Sequence, residues 1–170
     1  MSSNPIVIET ARLILRRLTL DDAEFILGLL NEPSFLQFIG DKGVRTLDDA
    51  RNYLLAGPIA SYEKFGFGLY LVQLKDGHVP IGMCGLLKRE TLPDVDIGFS
   101  FLPQFWSKGY AFESASAVMA HGKRAFGLER IVGLVKPGNQ GSIRVLEKLG
   151  LKFEKMIRAL DGETEDKLFA

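Results

Sequence analysis

The residues of this chain whose types and spacing could do chemistry lie mainly in its second half. The stretch Gln104-Phe-Trp-Ser-Lys-Gly-Tyr-Ala111 stands between an apolar run ending at Leu102 and a long helix-like segment beginning near Gly109. Small residues at Ser107, Gly109 and Ala111 let a backbone come close to a ligand. The following helix offers unpaired N–H groups and a positive dipole end, a combination that suits a phosphate. An ordinary strand-to-helix connection has the same look, so context must decide. A second helix start, Gly138-Asn-Gln-Gly-Ser142, also follows an apolar strand. Both starts can point toward the carboxyl ends of neighbouring strands, where open sheets bind ligands, and two of them suit an elongated cofactor. One can hold a diphosphate while the opened edge of the strand ending at Leu102 pairs with an amide-bearing arm. Asp96 lies within that apolar strand, where a carboxylate is costly unless it is partnered or functional. Solvation at a strand start is the competing reading for Asp96 and for its neighbour Asp94.

The elements that must position these residues can be read in order. Residues 9–18 form an imperfectly alternating strand, with Leu13 and Leu15 set against Arg12, Ile14 and Arg16. Thr19-Leu-Asp-Asp and Thr46-Leu-Asp-Asp are two N-cap signals with acids in the first turn. The first helix carries Phe25, Ile26, Leu29 and Leu30 and is expected to end at Pro33. The second is expected to break or kink at Gly57-Pro58. Residues 67–74 and 80–88 read as antiparallel strands joined through Asp76-Gly77, and residues 95–102 as a central third strand. The clearest helix is 109–126, with Ala111, Ala115, Val118, Met119, Gly122 and Phe126 on one face and Gly127 as terminator. A short strand at 130–135, a helix ending at Gly150, and strands at 151–157 and 165–169 complete the chain. The order predicts one domain over residues 1–170, an α/β (α+β) fold built on a mixed, mostly antiparallel sheet of six to seven strands with helices on both faces.

Composition limits the partners. Twenty-one basic residues balance 21 acidic ones, so no overall field attracts nucleic acid or an anionic membrane, and an anion site must be built locally. The N-terminal Met-Ser-Ser-Asn-Pro segment lacks a basic region followed by an apolar core, and no apolar run approaches a membrane span, so a cytoplasmic location is expected. The single Cys84 excludes an internal disulfide, and with only His78 and His121 besides, no metal site is expected.

Taken together, the motifs resemble the GNAT superfamily of acyl-CoA-dependent N-acyltransferases, most closely the branch of the ribosomal-protein N-terminal acetyltransferases. Nearly the whole chain carries the resemblance: Glu9-Thr-Ala-Arg-Leu-Ile-Leu-Arg, Asp96-Ile-Gly-Phe, Trp106-Ser-Lys-Gly-Tyr-Ala-Phe-Glu and Asn139-Gln-Gly-Ser-Ile-Arg-Val-Leu-Glu-Lys-Leu-Gly-Leu. The resemblance implies acetyl-CoA as cosubstrate, no metal, and direct transfer to a primary amine in a ternary complex. The family's pattern Arg/Gln-x-x-Gly-x-Gly/Ala, which carries the coenzyme A pyrophosphate, falls on Gln104, Ser107 and Gly109 and extends the cofactor set to Lys108, Tyr110 and Ala111. Ser107 replaces the usual first glycine; its N–H can still donate if its backbone angles suit a residue with a Cβ. The family further implies that the main chain at Phe101 and Leu102 pairs with the pantetheine arm, that Asn139 and Ser142 contact the cofactor, and that homodimers are one form of assembly.

Transfer to an amine needs a neutral nucleophile, a stabilised tetrahedral intermediate and a protonated leaving thiolate. An α-amine (reference pKa about 8) needs about 3 kcal/mol less help than a lysine (about 10.4) to become neutral. Asp96 matches the acid that many relatives carry just before Ile-Gly and is the candidate base. Leu146 occupies the position of the tyrosine that often serves as acid, so Ser142 is the substitute the resemblance suggests, with helix capping as its other role. Phe35 and Phe38 are candidates for the acceptor pocket, with core packing as the alternative. Cys84 reads as a buried thiol, His121 as a surface residue and Glu113 as a helix-start or structural acid. A non-catalytic acyl-CoA-binding relative, and an unrelated nucleotide-binding domain using the same loop, remain as alternatives to the enzyme.

Overall fold

The computed structural model describes residues 5–159 and 161–170, so residues 1–4, which carry most of the N-terminal segment on which the no-export expectation rests, lie outside it. Among the described residues eight strands form one sheet: β1 (Ile6–Glu9), β2 (Leu13–Arg17), β3 (Leu69–Leu74), β4 (Pro80–Leu87), β5 (Val95–Phe101), β6 (Ile131–Val135), β7 (Phe153–Arg158) and β8 (Glu165–Phe169). Their spatial order is β1-β2-β3-β4-β5-β6-β8-β7. All neighbouring pairs are antiparallel except β5 and β6. The sheet is mixed and mostly antiparallel as expected, with one strand more than expected. The extra strand is β1, most of which lies ahead of the strand expected over residues 9–18; within that span Leu13–Arg17 forms β2. The Thr10 N–H bonds to the Leu13 carbonyl, the Leu13 N–H bonds to the Thr10 hydroxyl, and this turn separates β1 from β2.

Helices cover both faces. Period-2 alternation splits the sheet's side chains, so that Leu71 and Met83 join α1 (Ala23–Leu30) and α3 (Leu47–Leu54) in one core. Tyr70, Val72, Cys84, Leu86 and Ile97 join α5 (Tyr110–Phe126) and α6 (Gln140–Lys148) in the other. Two sequence expectations change in the helices. Pro33 does not end the first helix, which stops at Leu30; it opens α2 (Pro33–Phe38), where its missing N–H costs nothing. Gly57-Pro58 does not break the second. The chain passes through a π-helical turn at Leu55–Ile59 into α4 (Ala60–Phe65), and the wider turn accommodates the proline ring.

One feature of the sheet positions the site. The parallel pair β5 and β6 is in register only from Val95↔Ile131 to Ile97↔Gly133, although β5 continues to Phe101 and β6 to Val135. Beyond Gly133 the strands part, and the β6-facing edge of Gly98 to Phe101 has no strand partner.

Candidate active site

Two clefts open at this parting. The first, of about 460 Å³, is walled by Phe99, Ser100 and Phe101 of β5, by Phe105, Trp106, Ser107, Gly109, Tyr110 and Ala111 of the loop and α5, and by Asn139 to Ser142, Arg144, Val145 and Lys148 along α6. The second, of about 480 Å³, lies on the α1–α3 side and includes Lys42, Tyr53, Met83, Leu87, Arg89, Asp96, Lys136, Leu146 and Asp166. Phe35, Phe38, Ile39, Phe99, Ser100, Asn139 and Ser142 line both. The junction is therefore built from the open end of β5, the start of α6 and the aromatic end of α2.

The first cleft suits an elongated anion with an amide-bearing arm. No Asp or Glu lines it, and its charged residues are Arg144 and Lys148, one helical turn apart on α6. Neither has a carboxylate within ion-pair distance among the described residues. At its floor Ser107 takes φ 61° and Gly109 φ 84°. Ser107 thus adopts the left-handed conformation that a glycine would take, which an L residue reaches at some cost. Two left-handed residues around Lys108 turn the chain sharply into the N-terminus of α5, whose first N–H groups have no helical acceptor.

The loop is braced from both sides, by Trp106 and by Arg12 with Glu113, and of these the sequence reading gave a role only to Glu113. Trp106 Nε1 donates to the Phe101 carbonyl at 2.8 Å and ties the loop to the end of β5. Arg12, on the turn before β2, donates through Nη1 to the Lys108 carbonyl at 3.0 Å and through Nε to Glu113 Oε1 at 2.7 Å. Its guanidinium lies 4.4 Å from the centre of the Tyr110 ring, and its Nη2 would stand 3.2 Å from a Cβ placed on Gly109. Glu113 also accepts from the Thr10 hydroxyl and the Arg12 N–H. Burial works against its charge, but these donors outweigh it and hold the carboxyl below its usual range. The structural role expected for Glu113 is this brace. Arg12 stood within the quoted motif, but its contacts lie about a hundred residues away and spacing alone could not point to them.

Other predicted site residues are distributed as follows. Phe101, Ser107, Gly109, Tyr110, Ala111, Asn139 and Ser142 come together in the first cleft. Leu102, Gln104 and Lys108 lie outside its lining: the Leu102 N–H is taken by the Ile81 carbonyl, and the side chains of Gln104 and Lys108 are exposed. The Asn139 side chain accepts from the Ser142 N–H at 3.2 Å and caps α6, which leaves the Ser142 hydroxyl free at the junction. Ser100, absent from the sequence reading, lines the same junction. Leu146 is buried against Gly133, whose missing side chain makes room for it, so no hydroxyl stands there.

Asp96 has 2 % of its surface exposed and shares one face of β5 with Gly98 and Ser100. Its carboxylate receives Arg89 Nε at 3.0 Å and Nη2 at 3.4 Å. Burial pushes its pKa up and the Arg89 charge opposes this, with the net effect upward. Asp94 lines neither cleft and pairs with Arg130 at 3.0 Å. Cys84 is fully buried on the opposite face of the sheet, its thiol pushed up to about 12 by burial, which makes it a poor nucleophile. His121, expected at the surface, is partly buried edge-on against Phe126.

Comparison with known proteins agrees with this geometry. Residues 12–152 match the acetyltransferase (GNAT) domain. An uncharacterized N-acetyltransferase, YoaA, of Bacillus subtilis is 30% identical over 154 residues, covering 89% of this chain and 86% of that protein. Among solved structures, an acetyltransferase from Agrobacterium tumefaciens superposes with a TM-score of 0.82 at 24% identity, covering 99% of this chain and 95% of that one. The ribosomal L7/L12 alpha-N-protein acetyltransferase RimL, in complex with coenzyme A, does so with a TM-score of 0.83 at 19% identity, covering 97% and 96%. This chain therefore belongs to the GNAT acetyltransferases, the family whose members transfer an acetyl group from acetyl-CoA to an amine.

Proposed function

We propose that residues 1–170 form one acyltransferase domain, that the first cleft takes acetyl-CoA, and that the second takes a primary amine, either a protein N-terminus or a small molecule. The observation that carries this reading is the junction of the two clefts at Ser100, Asn139 and Ser142, beside the unpaired edge of β5. In this assignment the main chain at Phe101 pairs with the pantetheine arm, and Leu102 does not, because its N–H is taken by the Ile81 carbonyl and its carbonyl by the Phe105 N–H. Ser107, Gly109, Tyr110 and Ala111 cradle the diphosphate, with Gln104 and Lys108 on its exposed rim. Asn139 and Ser142 hold the arm from the α6 side, and Phe35 and Phe38 wall the acceptor's entry. With Cys84 expected to stay reduced, the setting is the cytoplasm, and a homodimer is one form the protein takes.

Asp96 is the base and Ser142 the proton donor. Asp96 and Ser100 are four residues apart on one face of a strand, about 13 Å along the backbone, with Gly98 between them. A proton leaving an amine at the junction reaches Asp96 through water along the second cleft, past Gly98, against which the side chains of Leu69 and Leu87 pack. Ser142, next to the thioester end of the cleft, returns a proton to the leaving sulfur. An α-amine acceptor, needing the smaller drive to neutrality, fits a base held at such a distance.

The test is release of free thiol from acetyl-CoA across a panel of peptide N-termini and small amines. With the acceptor found, Asp96→Asn is expected to lower kcat by about 100-fold or more with KM for acetyl-CoA within a few-fold, the size of effect typical of a lost general base. Unchanged turnover in that variant would remove Asp96 from the mechanism. Saturable acetyl-CoA binding without release on any amine would establish the non-catalytic reading.

A further inference from the structure

We propose that Arg89 is a positioning residue of the transfer reaction, orienting the Asp96 carboxylate at the floor of the second cleft and keeping it an anion. The inference rests on the reading of Asp96 as base. It starts from geometry: both oxygens of Asp96 are engaged by one guanidinium, Nε to Oδ1 at 3.0 Å and Nη2 to Oδ2 at 3.4 Å. A two-point contact of this kind fixes the plane of the carboxylate as well as its charge. The Asp96 side chain is 3 % exposed and that of Arg89 27 %, so the acid is withdrawn from water while its partner reaches the cleft. A carboxylate so buried would take up a proton without compensation and could not serve as a base.

The other charged groups around this pair do not replace Arg89. Lys88, the next residue, attracts Asp96 only weakly from a distance. Asp41 and Lys42 from the α2–α3 connection, Tyr53 from α3, Lys136 after β6, Asp161 from the β7–β8 turn and Asp166 from β8 line the same cleft, and Lys42, Tyr53 and Asp166 feel the Arg89 charge. Among the described residues none of them forms an ion pair or hydrogen bond with Asp96, which Arg89 alone contacts. Fastening the β4–β5 turn is the ordinary structural role for such an arginine. That turn already has its own fastener, since Lys88 Nζ donates to the carbonyls of Arg89 and Leu92 at 3.2 and 2.7 Å. The Arg89 side chain is therefore free to act on the acid.

The sign follows directly. Arg89 favours the charged form of Asp96, so its removal raises the pH at which the base becomes active. The measurement compares wild type, Arg89→Met, Arg89→Lys, Asp96→Asn and the double variant from pH 6 to 9, using the ratio of each variant's kcat/KM to that of wild type. In that ratio the acceptor amine's own ionisation cancels. Arg89→Met is expected to be at least about tenfold impaired at pH 6 and to recover to within about threefold at pH 9, with Arg89→Lys in between and the double variant no slower than Asp96→Asn. The carboxyl carbon of Asp96, followed by NMR in the acceptor-free protein, is expected to titrate about one to three units higher in Arg89→Met, the range produced by losing an adjacent opposite charge. A flat ratio in Arg89→Met, with Asp96→Asn slow, would overturn the role of Arg89 and leave Asp96 standing. Wild-type turnover in Asp96→Asn would overturn the reading of Asp96, and the present inference with it. If Arg89→Met does not fold, Arg89→Lys decides, because a purely structural arginine predicts a pH-independent ratio there too.

Discussion

Ser107 is where a single residue departs from what its neighbourhood asks. Its φ of 61° is the conformation a glycine enters freely and a serine enters at a cost, so the turn into α5 is held by the residues around it rather than by Ser107's own preference. The N–H, not the side chain, is the group the cradle needs. Ser107→Gly is accordingly expected to leave acetyl-CoA affinity within about threefold by calorimetry and to stabilise the fold by up to about 1 kcal/mol, since relief of left-handed strain exceeds the added freedom of the unfolded chain. A loss of affinity beyond tenfold would show that the hydroxyl itself contacts the ligand. Asp96 shows the same principle for charge. A lone carboxylate on an apolar strand is conspicuous in the sequence, but its ionisation is set by burial, which pushes its pKa up, against Arg89, which reaches it across the β4–β5 turn and opposes that shift.

At the scale of elements, the loop proposed to cradle the diphosphate belongs to neither β5 nor α5 alone. Trp106 ties it to the end of β5, while Arg12 and Glu113 tie it to the turn between β1 and β2. The ion pair is partly exposed, with side-chain exposures of 46 % for Arg12 and 19 % for Glu113, so its charge attraction alone contributes little and its value lies in position. Arg12→Gln is expected to raise KM for acetyl-CoA about tenfold while changing kcat less than threefold, because the loop loses its brace and the junction keeps its groups. A matched fall in kcat with KM unchanged would place Arg12 in the chemistry instead. Much of this level was legible beforehand. The N-caps at Thr19 and Thr46, the hairpin through Asp76-Gly77 and the helix from Tyr110 to Gly127 follow from local rules and are present. The readings that failed, a strand start at Glu9, a helix end at Pro33 and a break at Pro58, are places where a local signal had two outcomes. A proline can close one helix or open another, and a π turn can absorb it, so packing on the sheet chose between them.

Across the whole molecule, acetyl-CoA would bridge parts that meet only on folding: the end of β5, the start of α5 and the length of α6. Such a ligand binds the folded state and not the unfolded chain, so at 100 times its Kd it is expected to add about 2.7 kcal/mol, which for a chain of this size raises Tm by roughly 5–10 °C. Thermal denaturation with and without acetyl-CoA checks this, and no shift at saturating ligand would refute the proposed cleft. No helix among the described residues is long and apolar enough to cross a membrane. By itself the sequence determined the order of elements apart from β1 and α2, the candidate phosphate loop, the second helix start at Asn139 and the suspicion attached to Asp96, since each is carried by periodicity, capping or residue type within a few positions. Only the tertiary structure decided that β5 and β6 part after Gly133, that two clefts meet at Ser100 and Ser142, and that Arg12 and Arg89 support the loop and the acid. These depend on strand register and on contacts between distant segments, which a linear pattern does not encode.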